Sequence, residues 1–278
     1  MTDEKKSALA VPQSLADMIV AERPAGSDAG ALGNEGIGRE DILTPRLGLA
    51  QKMSPEVDPT NRDRYIEGLQ FTDMFHSLAG KSFGKGPLHF VILRRDKPRW
   101  IEFNPLDQGG GIRDMNVPPN DPRTFFTTGP NNERVKPVAT MFYDFIVLLL
   151  TALDLEDPLK NVIALSLKSS GIKAAKHLNF LVLQRGKKLI CKGVYELRTD
   201  SATDKKTGGV YAVYKVKNAG WLAAGSLVEK LAIELFESWK DREAMIDRGD
   251  NHEEGGGDTD FNPADIEKQD AGAANTEM

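Results

Sequence analysis

The amino-acid sequence predicts an α+β fold built on a five-stranded β-barrel, and three observations lead to this prediction. Apolar, β-branched and aromatic segments separated by turn signals fill the middle of the chain. One helical pattern interrupts these segments, and a second, amphipathic helical pattern follows the last of them. The flanking segments are rich in Gly, Ala, Pro and acids, so we expect flexible termini at residues 1–38 and 246–278 around a domain at 39–245.

Strand-like segments are expected at residues 87–95, 99–103, 138–153, 162–167, 189–199 and 210–217. The first two are predicted to form a hairpin that turns at Asp96–Pro98, and the last two a hairpin that turns at Asp204–Gly209. Gln108–Arg123 holds three consecutive glycines and three prolines and is predicted to be a long loop. A short strand and turn are expected within residues 41–57.

Two helices are expected. Residues 172–184 follow Ser169 and Ser170, which offer caps, and residues 226–245 repeat large apolar side chains at helical spacing. The first helix follows the strand at 162–167 and precedes the last hairpin. A five-stranded barrel whose helix lies between its third and fourth strands is the OB arrangement, which binds oligonucleotides across its face. The full prediction is an OB-like five-stranded β-barrel with an inserted helix and a C-terminal amphipathic helix.

Charge is sorted along the chain, although the whole protein has a net charge of −5. Residues 81–220 contain 23 Lys and Arg against 13 Asp and Glu, a net of +10, whereas residues 241–278 contain 3 against 12, a net of −9. A basic body followed by an acidic tail is compatible with nucleic acid as the partner.

Binding a single strand without sequence preference needs cations beside the phosphates and aromatic rings under unstacked bases. Alternation puts Tyr211, Lys215 and Lys217 on one strand face, and helical spacing puts Lys173 and Lys176 on one helix face, at a helix start that favours anions. The candidate DNA-binding residues are Arg94, Arg95, Arg99, Trp100, Lys168, Lys173, Lys176, Lys192, Arg198, Tyr211, Lys215 and Lys217. The alternatives are that the lysines serve solubility, and that Trp100 belongs to the core.

The acidic tail offers a second hypothesis. Its 10 acidic side chains beyond Met245 would compete with DNA for the basic groove, and Phe261 with Ile266 would form a hook for a protein partner. The alternative is a tail that only keeps the protein soluble.

Enzyme motifs are weak in this sequence. Ala79–Ser82 resembles the end of a phosphate-binding loop, but Phe75 stands where that motif needs glycine. Cys191 is the single cysteine, and the four histidines are scattered, so we expect no disulfide, metal or cofactor. The acids at Asp154–Asp157 could hold Mg²⁺ in a nuclease, but Pro158 indicates a turn. We therefore predict a protein that is not an enzyme, without a signal peptide or membrane span, and located in the cytoplasm.

Three groups of short patches resemble bacteriophage OB-fold single-stranded DNA-binding proteins of the lytic podovirus type. They are Glu40–Leu47 with Met53–Glu56, Leu165–Ser170 with Lys173 and Lys176, and Gly209–Val213 with Ala219–Trp221. The resemblance implies that Lys168, Lys173, Lys176 and the Tyr211 hairpin lie at a DNA groove. Similar proteins end in an acidic tail tipped by phenylalanine, whereas this chain ends Asn275–Met278, so Phe261 would be the substitute.

The function expected from these observations is sequence-tolerant binding of single-stranded DNA, coating displaced strands during phage replication or recombination in the host cytoplasm. One alternative is a transcription cofactor that holds an unwound promoter and recruits a phage RNA polymerase. A second is a structural or scaffolding protein whose basic patch meets an acidic subunit. An oligomer is compatible with each of these roles.

Overall fold

The structure, a computed structural model, describes residues 43–105, 110–151, 153–186, 189–205, 207–241 and 246. The flexible termini expected from the sequence lie outside the described residues, apart from Ile246. The described strands are β1 (Leu47–Leu49), β2 (Met74–His76), β3 (Lys81–Gly84), β4 (Leu88–Arg95), β5 (Arg99–Phe103), β6 (Ile112–Val117), β7 (Thr127–Thr128), β8 (Arg134–Val135), β9 (Ala139–Leu149), β10 (Val162–Lys168), β11 (Gly193–Thr203) and β12 (Val210–Trp221). The described helices are α1 (Ile172–Gln184) and α2 (Leu227–Trp239).

Seven of these strands form one antiparallel sheet in the order β12–β11–β4–β9–β5–β6, with β10 also paired to β9. The strand β9 lies at its centre, because Phe145 is the partner of both Arg95 in β4 and Leu165 in β10. The predicted hairpin of residues 189–217 is confirmed as β11 and β12, which pair from Gly193 opposite Trp221 to Thr203 opposite Val210.

The predicted hairpin at Asp96–Pro98 is wrong. Strands β4 and β5 both run antiparallel to β9 and pair with successive parts of it. Phe90 of β4 lies opposite Leu149, and Glu102 of β5 lies opposite Ala139. The chain does not reverse at Asp96, because the Asp96 N–H donates to the carbonyl oxygen of Asp144 in β9 at 3.0 Å. The residues from 96 to 98 therefore interrupt one long strand, and turn-forming residues alone do not distinguish this from a hairpin.

The predicted long loop at Gln108–Arg123 is also wrong in part, because it contains β6. This strand pairs with β5, from Trp100 opposite Val117 to Phe103 opposite Ile112. Most of its residues are exposed or half-buried, with only Val117 fully buried. A strand with so little apolar alternation has no clear sequence signal.

The two faces of the main sheet are covered by the two helices. On the α1 face, Phe90, Phe145 and Tyr195 pack with Leu178 of the helix. On the α2 face, Val91 and Ile146 pack with Leu235 and Trp239, among others. Strand β9 contributes to both clusters, so its buried residues form a continuous apolar run rather than an alternating one.

Helix α1 has the bounds that the sequence predicts, but neither serine caps it. Gly171 is its N-terminal cap residue without a side-chain hydrogen bond, and the Ser170 hydroxyl instead donates to the Ala212 carbonyl at 3.4 Å. The helix ends at Gln184, with Arg185 as cap and Gly186 at a φ of +69°. Helix α2 begins with a variant of the capping box, in which Ser226 Oγ accepts from the Glu229 N–H and the Glu229 carboxylate accepts from the N–H of Gly225, the residue before the cap.

The predicted short strand within residues 41–57 is confirmed as β1, which forms a small sheet with β2 and β3. Its surroundings link the two edges of the main sheet. The Pro45 carbonyl accepts from the Ala164 N–H in β10 at 2.8 Å, and the Gln51 amide oxygen accepts from the Ala212 N–H in β12 at 2.8 Å.

The architecture is therefore α+β, with mostly antiparallel sheets and two helices. Within the described residues β10 and β12 do not pair with each other, so the main sheet does not close into a barrel. No helix among the residues described is long and apolar enough to cross a membrane.

Candidate nucleic-acid interface

The β11–β12 hairpin carries four of the candidate residues on one face. Arg198 lies opposite Lys215, Glu196 opposite Lys217, and Ala202 opposite Tyr211. Since Val216 and Leu197 point into the core on the α1 face, these alternate residues lie on the α2 face. Arg198, Lys215 and Lys217 are exposed, as the alternation in the sequence predicts.

The charges on this hairpin are not equivalent. The Arg198 guanidinium donates to Glu196 at 2.6 Å, so part of its charge is neutralised. Lys215 and Lys217 make no ion pair with any carboxylate of the described part of the chain. Tyr211 is half-buried, and burial, together with Asp204, raises the pKa of its hydroxyl.

Helix α1 exposes a second group of cations. Its buried side chains are Ala174, Ala175, Leu178 and Leu181, which face the sheet. Lys173 and Lys176 lie on the exposed side, as predicted, together with His177 and the apolar Phe180 and Leu183. The outward side of this helix therefore combines positive charge with exposed apolar groups.

Helix α1 runs alongside β12 in the same direction. At its start, Ser170 contacts Ala212, and a Cβ on Gly171 would lie 3.8 Å from the Tyr214 ring. At its end, Arg185 contacts Asn218 and Trp221. The exposed cations thus border one strand from both faces of the sheet. We call Lys173, Lys176, His177, Lys215 and Lys217 the β12 basic surface.

A ring stack lies at the end of this surface and was missed by the sequence analysis. The Arg185 guanidinium lies 4.4 Å from the ring centroid of Tyr195 and 4.4 Å from that of Trp221. It donates to the Val194 carbonyl at 2.9 Å and to the Asn218 amide oxygen. Burial lowers the pKa of Arg185, and the nearby Tyr195 partly offsets this effect.

The stack depends on contacts between residues distant in the sequence. Arg185 and Asn218 are 33 positions apart. The only local signals for this arrangement are the helix end at Gly186 and the small residue Gly193. A Cβ on Gly193 would lie 1.9 Å from Arg185 Nη1, so a larger residue would displace the guanidinium.

The cations predicted near the first hairpin occupy a different environment. Arg94 donates to Asp96 at 2.6 Å, and Arg99 lies 3.5 Å from Asp96 and 3.6 Å from Asp144. Asp144 is buried and accepts from the Ser166 hydroxyl. These four charged residues form the β4–β5 ion cluster, which joins the interrupted strand to β9.

The remaining candidates near this cluster divide between exposed and half-buried positions. Arg95 is exposed and lies near Tyr143. Burial raises the pKa of Tyr143, and the positive charge of Arg95 partly offsets this increase. Trp100 is half-buried in β5, opposite Val117 and Met141. Lys168, at the end of β10, lies with its amine 5.8 Å from the centre of the Phe142 ring.

Lys192 does not lie on a strand, because β11 begins only at Gly193, four residues after the predicted start. It belongs to a 3-10 turn at Ile190–Lys192, and its amine lies 3.0 Å from the Glu229 carboxylate. This turn also directs Cys191 to the α2 face, opposite to Tyr195 and Leu197. Phe261 and Ile266 lie outside the described residues.

Acidic residues elsewhere serve local structure. The Asp154 carboxylate accepts from the backbone N–H groups of Asp157 and Glu156, and these hydrogen bonds lower its pKa. Arg123 binds Glu102, Asp114 and Asp121, and its hydrogen bond lowers the pKa of Asp121 to about 2. Within the described ranges, no three His, Cys, Asp or Glu side chains are grouped to hold a metal ion.

Comparison with known proteins gives one family and no individual relative. Neither a curated protein nor a solved structure matches the chain. The model of the family described as Pam3 phage gp34-like protein matches residues 16–245, which is most of the chain. The protein therefore belongs to the Pam3 phage gp34-like family and is a phage protein.

Proposed function

We propose that this protein is a non-enzymatic, sequence-tolerant single-stranded DNA-binding protein. The observation that carries the proposal is the β12 basic surface, in which exposed lysines from α1 and from the β11–β12 hairpin border the same strand. Cations along a strand suit the evenly spaced phosphates of a nucleic-acid backbone. Aromatic side chains, Tyr211 and Trp221, lie in the same strand as two of these lysines.

We also infer that the main sheet is an open form of an OB-like barrel. Treating β4 with β5 as one strand, the strands β4, β9 and β10 are followed by α1 and then by β11 and β12. The helix thus falls between the third and fourth strands, as in a partly open five-stranded OB barrel. The hydrogen bonds of Pro45 and Gln51 to the two sheet edges support this interpretation, because they bridge the gap between β10 and β12.

The position of α2 favours the β11–β12 side for binding. In OB barrels the face of the second and third strands is a common oligonucleotide surface. Here the corresponding strands β9 and β10 pack Ile146, Leu148 and Ala164 in the same core cluster as Leu235 and Trp239 of α2. An oligonucleotide on that face would have to displace the helix, so the exposed hairpin is the better candidate.

The charge distribution supports a polyanion such as a nucleic acid as the partner. The segment 168–217 contains 12 Lys and Arg against three acids, and it includes both α1 and the hairpin. Long-range attraction between such a surface and a polyanion raises the association rate, and it makes the affinity depend on the salt concentration.

The test is a fluorescence-anisotropy titration of the full chain with labelled single- and double-stranded oligonucleotides of about 15 nucleotides. We expect tighter binding of the single strand, and a log–log salt dependence with a slope of about −0.7 for each phosphate neutralised. Stronger binding of the duplex, or a lack of binding to both oligonucleotides at low salt, would overturn the proposed function.

A further inference from the structure

The stack of Tyr195, Arg185 and Trp221 has a buried end and an exposed end. Tyr195 is fully buried in the core, and the guanidinium of Arg185 lies between its ring and the ring of Trp221. Trp221 is 45% exposed although it is a large apolar residue. One side of the indole therefore packs against the Arg185 guanidinium, and part of the ring remains exposed to solvent at the β12 edge of the sheet.

We propose that Trp221 is the residue on which a base of the bound strand stacks, and that Arg185 is the positioning residue that holds its ring. This inference rests on the proposed function and names the group that receives an unstacked base. An aromatic ring is tolerant of sequence because every base has a π-face. A guanidinium packed against the indole fixes the orientation of the ring by cation–π contact.

The surrounding residues favour one orientation of Arg185 and hence of Trp221. Asn218 accepts from both Arg185 and the Gly220 N–H, the latter at 2.9 Å, so it ties the guanidinium to the strand beside Trp221. The pairing of β11 and β12 shifts register at Val194 and Tyr195, which lie opposite Gly220 and Asn218. This bulge, with Gly193 opposite Trp221, leaves room for the guanidinium between the two rings.

Trp221 also lies where a strand bound to the β12 basic surface would reach it. The bulge reverses the alternation beyond Asn218, so Trp221 lies with Tyr195 and Arg185 on the α1 face, whereas Lys215 and Lys217 lie on the α2 face. Because α1 ends beside Trp221 at Arg185, a backbone held by Lys173 and Lys176 of this helix would bring its bases toward the end of β12. The lysines would therefore bind phosphates, and the indole would stack on a base.

The experiment compares W221A, W221F and R185K with the wild type in titrations with labelled oligothymidylate over a series of salt concentrations. The matched control is F125A, which removes another exposed aromatic residue, 52% accessible, outside the β12 basic surface. We expect W221A to weaken binding at least about fivefold with an unchanged salt slope, because stacking does not release counterions. W221F should retain most of the affinity, and F125A should match the wild type.

The positioning role of Arg185 needs a separate readout. An oligonucleotide with a photoreactive 5-iododeoxyuridine should cross-link to the peptide that contains Trp221, and R185K should lower the yield although its charge is retained. A residue that only supports the fold would lower the melting temperature without a selective loss of this cross-link. If R185K does not fold, N218A tests the same point, since it removes the acceptor of the guanidinium and keeps Arg185.

The outcomes separate the two proposals. If the wild type does not bind the oligonucleotide, both the proposed function and this inference fail. If the wild type binds, but W221A binds as tightly as F125A or the cross-link maps elsewhere, only the stacking role of Trp221 is overturned. If W221A is weak and neither R185K nor N218A changes the cross-link yield, Arg185 does not position the ring.

Discussion

The β4–β5 ion cluster and the β12 basic surface are both rich in cations that the sequence predicts to face DNA, yet they differ in what surrounds each charge. Arg94 and Arg99 are only 17% exposed in their side chains and lie within 4 Å of Asp96 or Asp144. Lys215 and Lys217 are exposed and have no carboxylate partner among the described residues. A cation that is already neutralised releases no counterion when DNA binds, so the two groups should serve stability and binding respectively.

The strongest expected effect is on stability at the ion cluster. In D144A, Arg99 loses one of its two carboxylates and the Ser166 hydroxyl loses its acceptor in the core. We expect the free energy of unfolding to fall by about 3 kcal/mol, because the buried Ser166 hydroxyl loses an acceptor and the largely buried Arg99 keeps only one of its two counter-charges. Urea denaturation followed by circular dichroism measures this change.

The matched control for this change is D157A, which breaks the exposed ion pair between Asp157 and Lys160. Such a surface pair contributes less than about 1 kcal/mol. If D144A lowers the free energy of unfolding no more than D157A does, the β4–β5 ion cluster does not hold the interrupted strand in place.

The second expected effect is on DNA binding at the β12 basic surface. In K215A/K217A two phosphate contacts are lost, so the salt slope should decrease by about 1.4 and the affinity at low salt should fall on the order of tenfold. The stability should change little, since both side chains are exposed. Anisotropy titrations at several salt concentrations measure both quantities.

The control variant K97A/K230A removes two exposed lysines that lie outside the β12 basic surface. It changes the net charge by the same amount as K215A/K217A, and the salt dependence of its DNA affinity should keep the slope of the wild type. An equal loss of affinity in both double variants would mean that DNA responds only to the overall charge of the protein.

The third expected effect is on acid stability at a separate group of ion pairs, centred on Arg123. The pKa of Asp121 is lowered from 3.8 to about 2 in the folded state by its hydrogen bonds with Arg123. Because the folded pKa is depressed, the contribution of Asp121 to stability is present above about pH 4 and is lost as the pH falls toward 2. In D121N the urea midpoint should therefore change less between these two pH values. The same pH dependence in D121N and in the wild type would contradict this assignment.

The elements that the sequence predicts well are those with strong local periodicity. Helix α1 and strand β10 have bounds close to those expected, and the β11–β12 hairpin turns where expected, since their apolar spacing and turn residues are local signals. The junction at Asp96–Pro98 has the same turn residues as a hairpin, and only its pairing with β9 shows that the strand continues. Closure of a barrel likewise depends on contacts between β10 and β12, which no local pattern encodes.

The candidate site shows the same division. The exposed faces of α1 and β12 follow from spacing, and the phage origin implied by the short patches is confirmed by the family match. The ion pairs of Arg94, Arg99 and Lys192 bring in partners from other elements, so the sequence could not distinguish neutralised cations from accessible ones. Arg185 was missed for this reason too, because its partners Asn218 and Trp221 lie on a different strand.

The smallest expected effect concerns Lys192, which tests whether pairing rather than position decides the role of a cation. Its amine lies 3.0 Å from Glu229, and hydrogen bonds from Gly225 and Lys192 lower the pKa of that carboxyl group, so it is ionised at neutral pH. K192A should therefore change the affinity for single-stranded DNA less than about twofold, because a lysine already neutralised by a carboxylate releases little counterion on binding.

The companion variant E229Q keeps Lys192 and removes its counter-charge. If pairing decides the role, E229Q should bind the single strand slightly more tightly than the wild type and show a steeper salt slope, whereas E229Q/K192A should not. Because Glu229 also caps α2, thermal unfolding must show that each variant is folded at the temperature of the titration. A loss of affinity in K192A as large as that in K215A/K217A would mean that ion-paired cations bind DNA as well as accessible ones, and the contrast between the two regions would then carry no functional meaning.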